Sequence, residues 1–323
     1  AVRGGRALLP LRKLPVDDYS AWERVDDEDA DAWCRRVLGD RVVDSLLGPV
    51  VEGFYFQPLA GMSRALPLAL GSIAARRPRT LTLRGGVGVL PEALAEGLDV
   101  ELRTRVDAVE PAGGGVRVHT GGAALECGRV VLATTAPVAA RLYEPASAAE
   151  RGLLATAYSS TIVVAVATAP GWRPPAALRD VYGLLVSRAE GGVLAAVGIE
   201  SHKGPDRVPE GELLAAMVAG DAAAELLALS DGEVAERVLA DLERHFPAVS
   251  SAVRFTRCYR WPEAEPCSPP GRSRLIAAYR RMLPAASTVV LAGDYLGMPF
   301  TEGAAEAGRW SASHVAAASL EGG

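Results

Sequence analysis

The 323 residues are 49% apolar and 23% charged, enough apolar chain to bury a sizeable core, which excludes a disordered protein or a small disulfide-stapled one. A net charge of -5 leaves no basic footprint for a phosphate backbone, so nucleic acid is not an expected partner. The four cysteines and four histidines never fall together at ligand spacing, so no metal site is expected; without a secretory segment the cysteines fit buried thiols in a reducing compartment.

Residues 23–38 open with acidic side chains and carry Ala30, Trp33, Cys34, Val37 and Leu38 at helical spacing before Gly39, which predicts one helix. Further helices are predicted at about 41–51 and at 63–75. The apolar period then falls from 3.6 to 2. Leu81, Leu83, Val100, Leu102, Val106, Val109, Val116, Val118, Leu125 and residues 130–132 mark short strands, and glycine turns at 112–115 and 121–122 close a β-meander. A second strand-rich block, at 161–168, 183–187, 193–199, 212–218 and 252–260, predicts a mixed sheet backed by a helix at 231–245 capped by Asp231. The last segment predicts helix 274–282, strand 288–292, a Gly-Asp turn and an alanine-rich helix from 301 to about 319. Such a βα unit places ligands at the carboxyl end of its strand. The longest apolar run, 161–169, is far shorter than the roughly 18–20 residues that cross a bilayer, so no membrane-spanning helix is expected.

The most informative stretch is LAGDYLGMPFTEGAAEAG at 291–308. An apolar strand delivers Gly293 and Asp294, and a helix opens at Thr301, Glu302, Gly303 and Ala304. Gly303, Ala304, Ala307, Gly308, Ser311 and Ala312 keep one helical face flat, so close approach by another group is expected there. Backbone N–H groups at a helix start suit a phosphate or an anionic ring, and Asp294 can accept hydrogen bonds from hydroxyls. A plain βα crossover whose small residues serve only helix-on-sheet packing accounts for the same pattern. The second stretch, LRGGVGVLPEALAEGL at 83–98, combines a strand, a glycine loop (Gly85, Gly86, Gly88) and a helix with Pro91 near its first turn. It lacks the third glycine of the dinucleotide fingerprint. Other residues carry two readings. His202 and Lys203 suit a substrate carboxylate or a base, against a surface turn after a strand. Tyr259 and Trp261 suit a substrate cavity, against strand core. Arg254, Arg257 and Arg260, at spacing three, share no strand face and fit solvated positions.

The Gly-Asp turn followed by PFTEGAAEAG resembles the C-terminal flavin-contacting signature of the flavin-containing amine oxidase superfamily. GGVGVLPEALA followed by VELRTRVDAVE resembles its middle segment, in the same order. GPVVEGFYFQPLAGMS at 48–63, GLLVSRAEGGVLAAVGIESHKGPDR at 183–207 and RWPEAEPCSPPG at 260–271 are similar to the protoporphyrinogen and coproporphyrinogen oxidase branch. The resemblance implies FAD as cofactor. Gly85, Gly86 and Gly88 would let the backbone pass it, and the backbone of Val106 would read the adenine edge. Gly293 and Asp294 would sit at the ribityl or pyrophosphate region, and the backbone of Thr301, Glu302, Gly303 and Ala304 would face the flavin N1/C2=O edge. It also implies hydride transfer from a C–N or C–C bond to flavin N5, with oxygen as acceptor and a small-molecule substrate, a porphyrinogen first.

Members of the superfamily begin with a strand, a GxGxxG turn and an acidic residue for the adenosine ribose, and nothing before Leu81 supplies these. The chain, whose residue 1 is Ala1, is therefore expected to be the C-terminal two-thirds of such an enzyme. Cys267 and Ser268 stand where the family commonly has an aromatic. The expected fold class is α/β, α+β overall: an incomplete Rossmann-like FAD-binding domain at 79–145 and 271–323, and a helical and mixed-sheet substrate domain at 1–78 and 146–270. The alternatives are another amine oxidase or a polyene desaturase of the superfamily, or a non-catalytic fragment or half of a split flavoprotein. No residue is singled out as catalytic. The expected location is cytoplasmic, with peripheral membrane contact and oligomeric state left open.

Overall fold

Helix α1 (Ala30–Leu38) begins where Asp29 can cap it, its carboxylate accepting the Ala32 N–H at 3.0 Å. This shortens the helix expected over 23–38. A 3-10 turn (Tyr19–Val25) comes first, and Asp26 to Asp29 stay outside the helix because their side chains have other partners: Arg64 for Asp27, Arg36 for Glu28. The computed structural model describes residues 14–77, 79–204 and 206–320, so Ala1 lies outside the described residues. Residues 40–55 are helical, passing through a π turn (Val43–Leu47) into α2 (Gly48–Tyr55). Pro49, which has no N–H to give, stands at that join. Helix α3 (Ala65–Ala75) follows, and after the glycine loop a short α4 (Val89–Ala95).

The strands expected around Leu81, Leu83, Val100 and Leu102 do not form; these side chains are 78, 40, 53 and 78% exposed. Alternation alone does not make a strand, and no partner edge lies beside these residues among those described. Strands β1 (Val106–Ala112), β2 (Gly115–Thr120) and β3 (Ala123–Cys127) form the expected meander, antiparallel throughout. β4 (Val130–Leu132) then leads through α5 (Ala136–Leu142) and α6 (Ala148–Leu154) to the second sheet.

That sheet contains β5 (Thr161–Thr168), β6 (Gly183–Leu185), β7 (Leu194–Ile199), β8 (Leu213–Val218) and, beyond α7 (Gly220–Leu226) and α8 (Asp231–His245), β9 (Val253–Trp261). The strand order is β6-β7-β8-β5-β9. Every pair is antiparallel, so within the expected class the sheet is not mixed. Helix α8 is capped by Ser230 rather than Asp231, since Ser230 and Glu233 exchange hydrogen bonds in a capping box. Last come α9 (Arg272–Met282), β10 (Val289–Leu291) and α10 (Thr301–Leu320). β10 pairs in parallel with β4, Leu291 beside Leu132.

Two apolar cores result. One joins the helices of the first 75 residues to β1, β2, β4, α6, α9, β10 and α10 through Trp22, Leu66, Val109, Leu153, Tyr279 and Leu291. The other is the interior between the five-stranded sheet and α8, built on Val164, Leu214, Val218, Val238 and Leu242. No helix among the described residues is long and apolar enough to cross a membrane.

Candidate functional site

The carboxyl ends of β4 and β10 set the site. Gly293 follows β10 at φ 133°, and a Cβ there would stand 3.1 Å from the Thr134 carbonyl and 3.0 Å from the Tyr295 ring. Glycine is therefore required for the turn to pass the end of β4. Asp294 accepts the Tyr158 hydroxyl at 2.7 Å, and that hydroxyl accepts the Ala136 N–H at 3.3 Å. One phenol thus ties the Gly-Asp turn to the start of α5. Burial, then the Asp294 charge, raises the Tyr158 pKa far above the ordinary phenol value, so it stays a neutral donor. Arg272, buried at the start of α9, donates to Thr156 at 2.8 Å and to the Tyr295 carbonyl, which fixes the turn from behind.

Helix α10 divides its small residues between two jobs. Gly303, Ala307 and Ser311 are buried. A Cβ on Gly303 would lie 2.1 Å from the Met298 carbonyl, and the Ser311 hydroxyl donates to the carbonyls of Leu291 and Ala307. The chain itself therefore takes up that face, which corrects the expectation that another group approaches all six small positions. Gly308 and Ala312 are exposed, with open space at Gly308. Thr301 and Glu302 are exposed and Ala304 is half-buried. The first capped N–H is that of Ala304, on the Phe300 carbonyl at 3.1 Å, so those of Thr301, Glu302 and Gly303 have no backbone acceptor among the described residues.

Gly85 and Gly86 hold φ of 82° and 96°, and Gly88 stands at the N-cap of α4. A Cβ on Gly86 would lie 3.5 Å from Arg207, which puts this loop beside the turn after β7. Val106 opens β1 opposite Thr120, where the register slips before Ala108. No hydrogen bond among the described residues joins Gly85–Gly88 or Val106 to the turn at 293–304. The sequence motifs thus form two groups.

Tyr259 and Trp261 are 43 and 52% exposed, on the side of β9 away from α8, so they are not strand core. Just beyond them, the segment 264–267 runs antiparallel to 157–159, with Tyr158 opposite Pro266 and the Ser159 N–H on the Glu265 carbonyl at 2.8 Å. This places the Glu265 carboxyl within electrostatic reach of Asp294 and Tyr55. Burial, then the Asp294 charge, pushes its pKa up to about 8. Glu263 accepts the Thr135 hydroxyl. Tyr158, Glu263, Glu265, Tyr55 and Arg272 were not singled out from sequence. Only the stretches that contain Tyr55 and that contain Glu263 and Glu265 carried a signal, through resemblance.

His202 and Lys203 sit in a 3-10 turn, Lys203 paired with Glu200 and His202 Nδ1 lying 2.7 Å from the Val181 carbonyl. Among the described residues no group of three or more His, Cys, Asp or Glu side chains could hold a metal ion. The four thiols are free, but only Cys34 is fully buried, its pKa raised by burial to about 12. An apolar cleft of about 820 Å³ opens near Val289, the amino end of β10. Parallel strands bind ligands at their carboxyl ends, so the Gly-Asp turn is the stronger candidate.

Comparison with known proteins identifies the family. The profile of the family described as flavin containing amine oxidoreductase matches residues 3–316. Among solved structures, the fold is similar to a "Putative protoporphyrinogen oxidase" from Exiguobacterium sp. 255-15 (20% identity, TM-score 0.69, 89% of this chain and 67% of that one). It is also similar to cyclohexylamine oxidase from Brevibacterium oxydans IH-35A (18%, 0.72, 98% and 74%) and to putrescine oxidase bound to putrescine (19%, 0.66, 97% and 76%). The chain thus spans between 67 and 76% of the length of these three. With its Gly-Asp turn, its open helix start and a profile match over nearly its whole length, this chain belongs to the flavin containing amine oxidoreductase family, whose cofactor is FAD.

Proposed function

We propose that this chain carries the flavin-contacting and substrate-binding parts of an FAD-dependent oxidase acting on a porphyrinogen. The observation that carries the reading is the Asp294–Tyr158 tie, which fixes the Gly-Asp turn at the carboxyl ends of β4 and β10 near the Trp261 end of the second sheet. The residues fit the cofactor: only one Asp294 oxygen takes a protein donor among the described residues, three N–H groups at the start of α10 are free, and Gly85 and Gly86 present bare backbone. FAD supplies the hydride acceptor, at N5, with oxygen as the final oxidant. In this reading Gly293 and Asp294 hold the ribityl or pyrophosphate region, Thr301 to Ala304 hold the ring edge, and Gly85, Gly86, Gly88 and Val106 serve the nucleotide half. Residues 79–145 with 271–323 form the cofactor side, and 1–78 with 146–270 the substrate side.

Tyr259 and Trp261 wall the substrate space, and the chain's task there is to orient a substrate and exclude water rather than to supply an acid–base pair. A second reading rests on Glu263 and Glu265, two carboxyls near the same turn that favour a cationic amine over a carboxylated ring. Oxygen-dependent oxidation of coproporphyrinogen and protoporphyrinogen, followed by porphyrin fluorescence, is to be measured beside peroxide release from cyclohexylamine and putrescine. Porphyrin formation without peroxide from the amines is the expected result; the reverse pattern selects the amine oxidase reading.

A further inference from the structure

Helix α9 begins with a buried cation. Arg272 is its first residue and is 5% exposed, at the end of a helix where the unpaired N–H groups already carry positive charge and a guanidinium is disfavoured. No carboxylate among the described residues lies at ion-pair distance from it, and its Nε has no hydrogen-bond partner. Arg280, about two turns along the same helix, shows the ordinary arrangement, with Glu306 at 2.6 Å and Asp18 at 3.0 Å. Burying a charge without a paired carboxylate is unfavourable. Burial lowers the Arg272 pKa, yet a guanidinium stays protonated.

The groups that face this charge are Tyr19, Tyr158, Cys267 and Asp294. Burial raises the pKa of Tyr19, Tyr158 and Cys267, so these three stay neutral and Asp294 is the anion of the set. The other buried carboxylate at this helix start, Asp26, accepts the Arg274 N–H at 3.2 Å and so offsets the helix end. Arg272 reaches the Gly-Asp turn through the Tyr295 carbonyl, one residue beyond Asp294. On its open side Asp294 keeps an oxygen without a protein donor among the described residues. A carboxylate there accepts hydrogen bonds from hydroxyls but repels an anion. FAD presents both, hydroxyls on its ribityl chain and a charged pyrophosphate.

Resting on the reading that the Gly-Asp turn holds FAD, we propose that Arg272 is a positioning residue, the counter-charge of Asp294. From behind the turn it cancels the carboxylate's charge, so that Asp294 holds ribityl hydroxyls without repelling the pyrophosphate. The test compares FAD with riboflavin, which keeps the ring and the ribityl hydroxyls and has no phosphate; both are titrated against the chain by flavin fluorescence. Arg272→Gln keeps a donor for the Tyr295 carbonyl and removes the charge. It is expected to lower the preference for FAD over riboflavin about 10-fold, the effect of one unit charge on another roughly 12 Å away at an effective dielectric constant of about 20. Riboflavin affinity is expected to stay within about twofold, and Arg272→Lys to keep the preference within about twofold of the parent. Asp26→Asn, which removes a buried negative charge at the same helix start and keeps an acceptor for the Arg274 N–H, is expected to move the preference the other way, about threefold. Equal loss of both flavins in Arg272→Gln with a native circular dichroism spectrum overturns this proposal alone, since Arg272 then only supports the turn. So does an Arg272→Gln chain that fails to fold beside an Asp26→Asn chain whose preference is unchanged. No saturable binding of either flavin by the parent overturns the reading that the turn holds FAD, and this proposal with it.

Discussion

The five-stranded sheet and the stretch before the meander differ in how completely neighbouring elements cover them. The five-stranded sheet buries Ile162, Val164, Val166, Leu214, Ala216 and Val218 completely against α8, each at 0% exposure. The stretch before the meander leaves Leu81, Leu94, Leu98 and Leu102 at 78, 70, 67 and 78% exposure. Both regions are rich in apolar residues. An apolar side chain becomes core only where neighbouring elements bring it a covering layer, and the antiparallel hairpins of the second sheet bring theirs within one contiguous segment.

Paired substitutions test the difference at its largest. Leu214→Ala is expected to cost about 2–5 kcal/mol, as for a buried leucine leaving a cavity. Leu94→Ala is expected to stay within about 0.5 kcal/mol, as for an exposed position. Urea unfolding read by circular dichroism checks both, and equal losses would break the comparison.

A smaller effect sharpens it at the boundary between the regions. Glu265 is held at a pKa of about 8, above its ordinary 4.5, with Asp294 and Tyr55 facing it. Between those two pH values the folded state keeps a proton that the unfolded state has lost, so stability falls as pH rises through the window. Glu265→Gln removes that loss. The variant is expected to match the parent near pH 5 and to exceed it at pH 9 by roughly 1 kcal/mol, allowing for solvent screening of a half-buried group. Thermal unfolding at both pH values decides it; a variant less stable at pH 9 would show that the carboxylate is satisfied in place.

The legible parts of the sequence follow the same division. The five strands of the second sheet and α8 were readable because alternation and a capping sequence act locally, although the cap itself moved to Ser230. Gly293 and Asp294 were readable because a positive-φ turn after a strand needs a particular residue type. The strands expected near Leu81 and Leu102 failed because strand formation needs a partner edge, which local alternation cannot report. Tyr158 and Arg272 escaped notice because their roles come from contacts with residues far along the chain, Asp294 for one and Thr156 for the other. The small residues of α10 were visible, but sequence could not tell Gly303, pressed on the Met298 carbonyl, from Gly308, which faces open space.

The central claim is that the Gly-Asp turn holds FAD, and titration of the chain with FAD, followed by flavin fluorescence, tests it most directly. Weak but saturable binding is predicted for the parent chain, since no GxGxxG turn precedes Leu81 to hold the phosphates. Asp294→Ala should weaken it about 10 to 150-fold, the loss of hydrogen bonds to a charged acceptor at roughly 1.5–3 kcal/mol. Asp294→Asn, which keeps an acceptor for Tyr158, should weaken it less. No saturable binding by the parent chain, or a change below twofold in Asp294→Ala, would contradict the account.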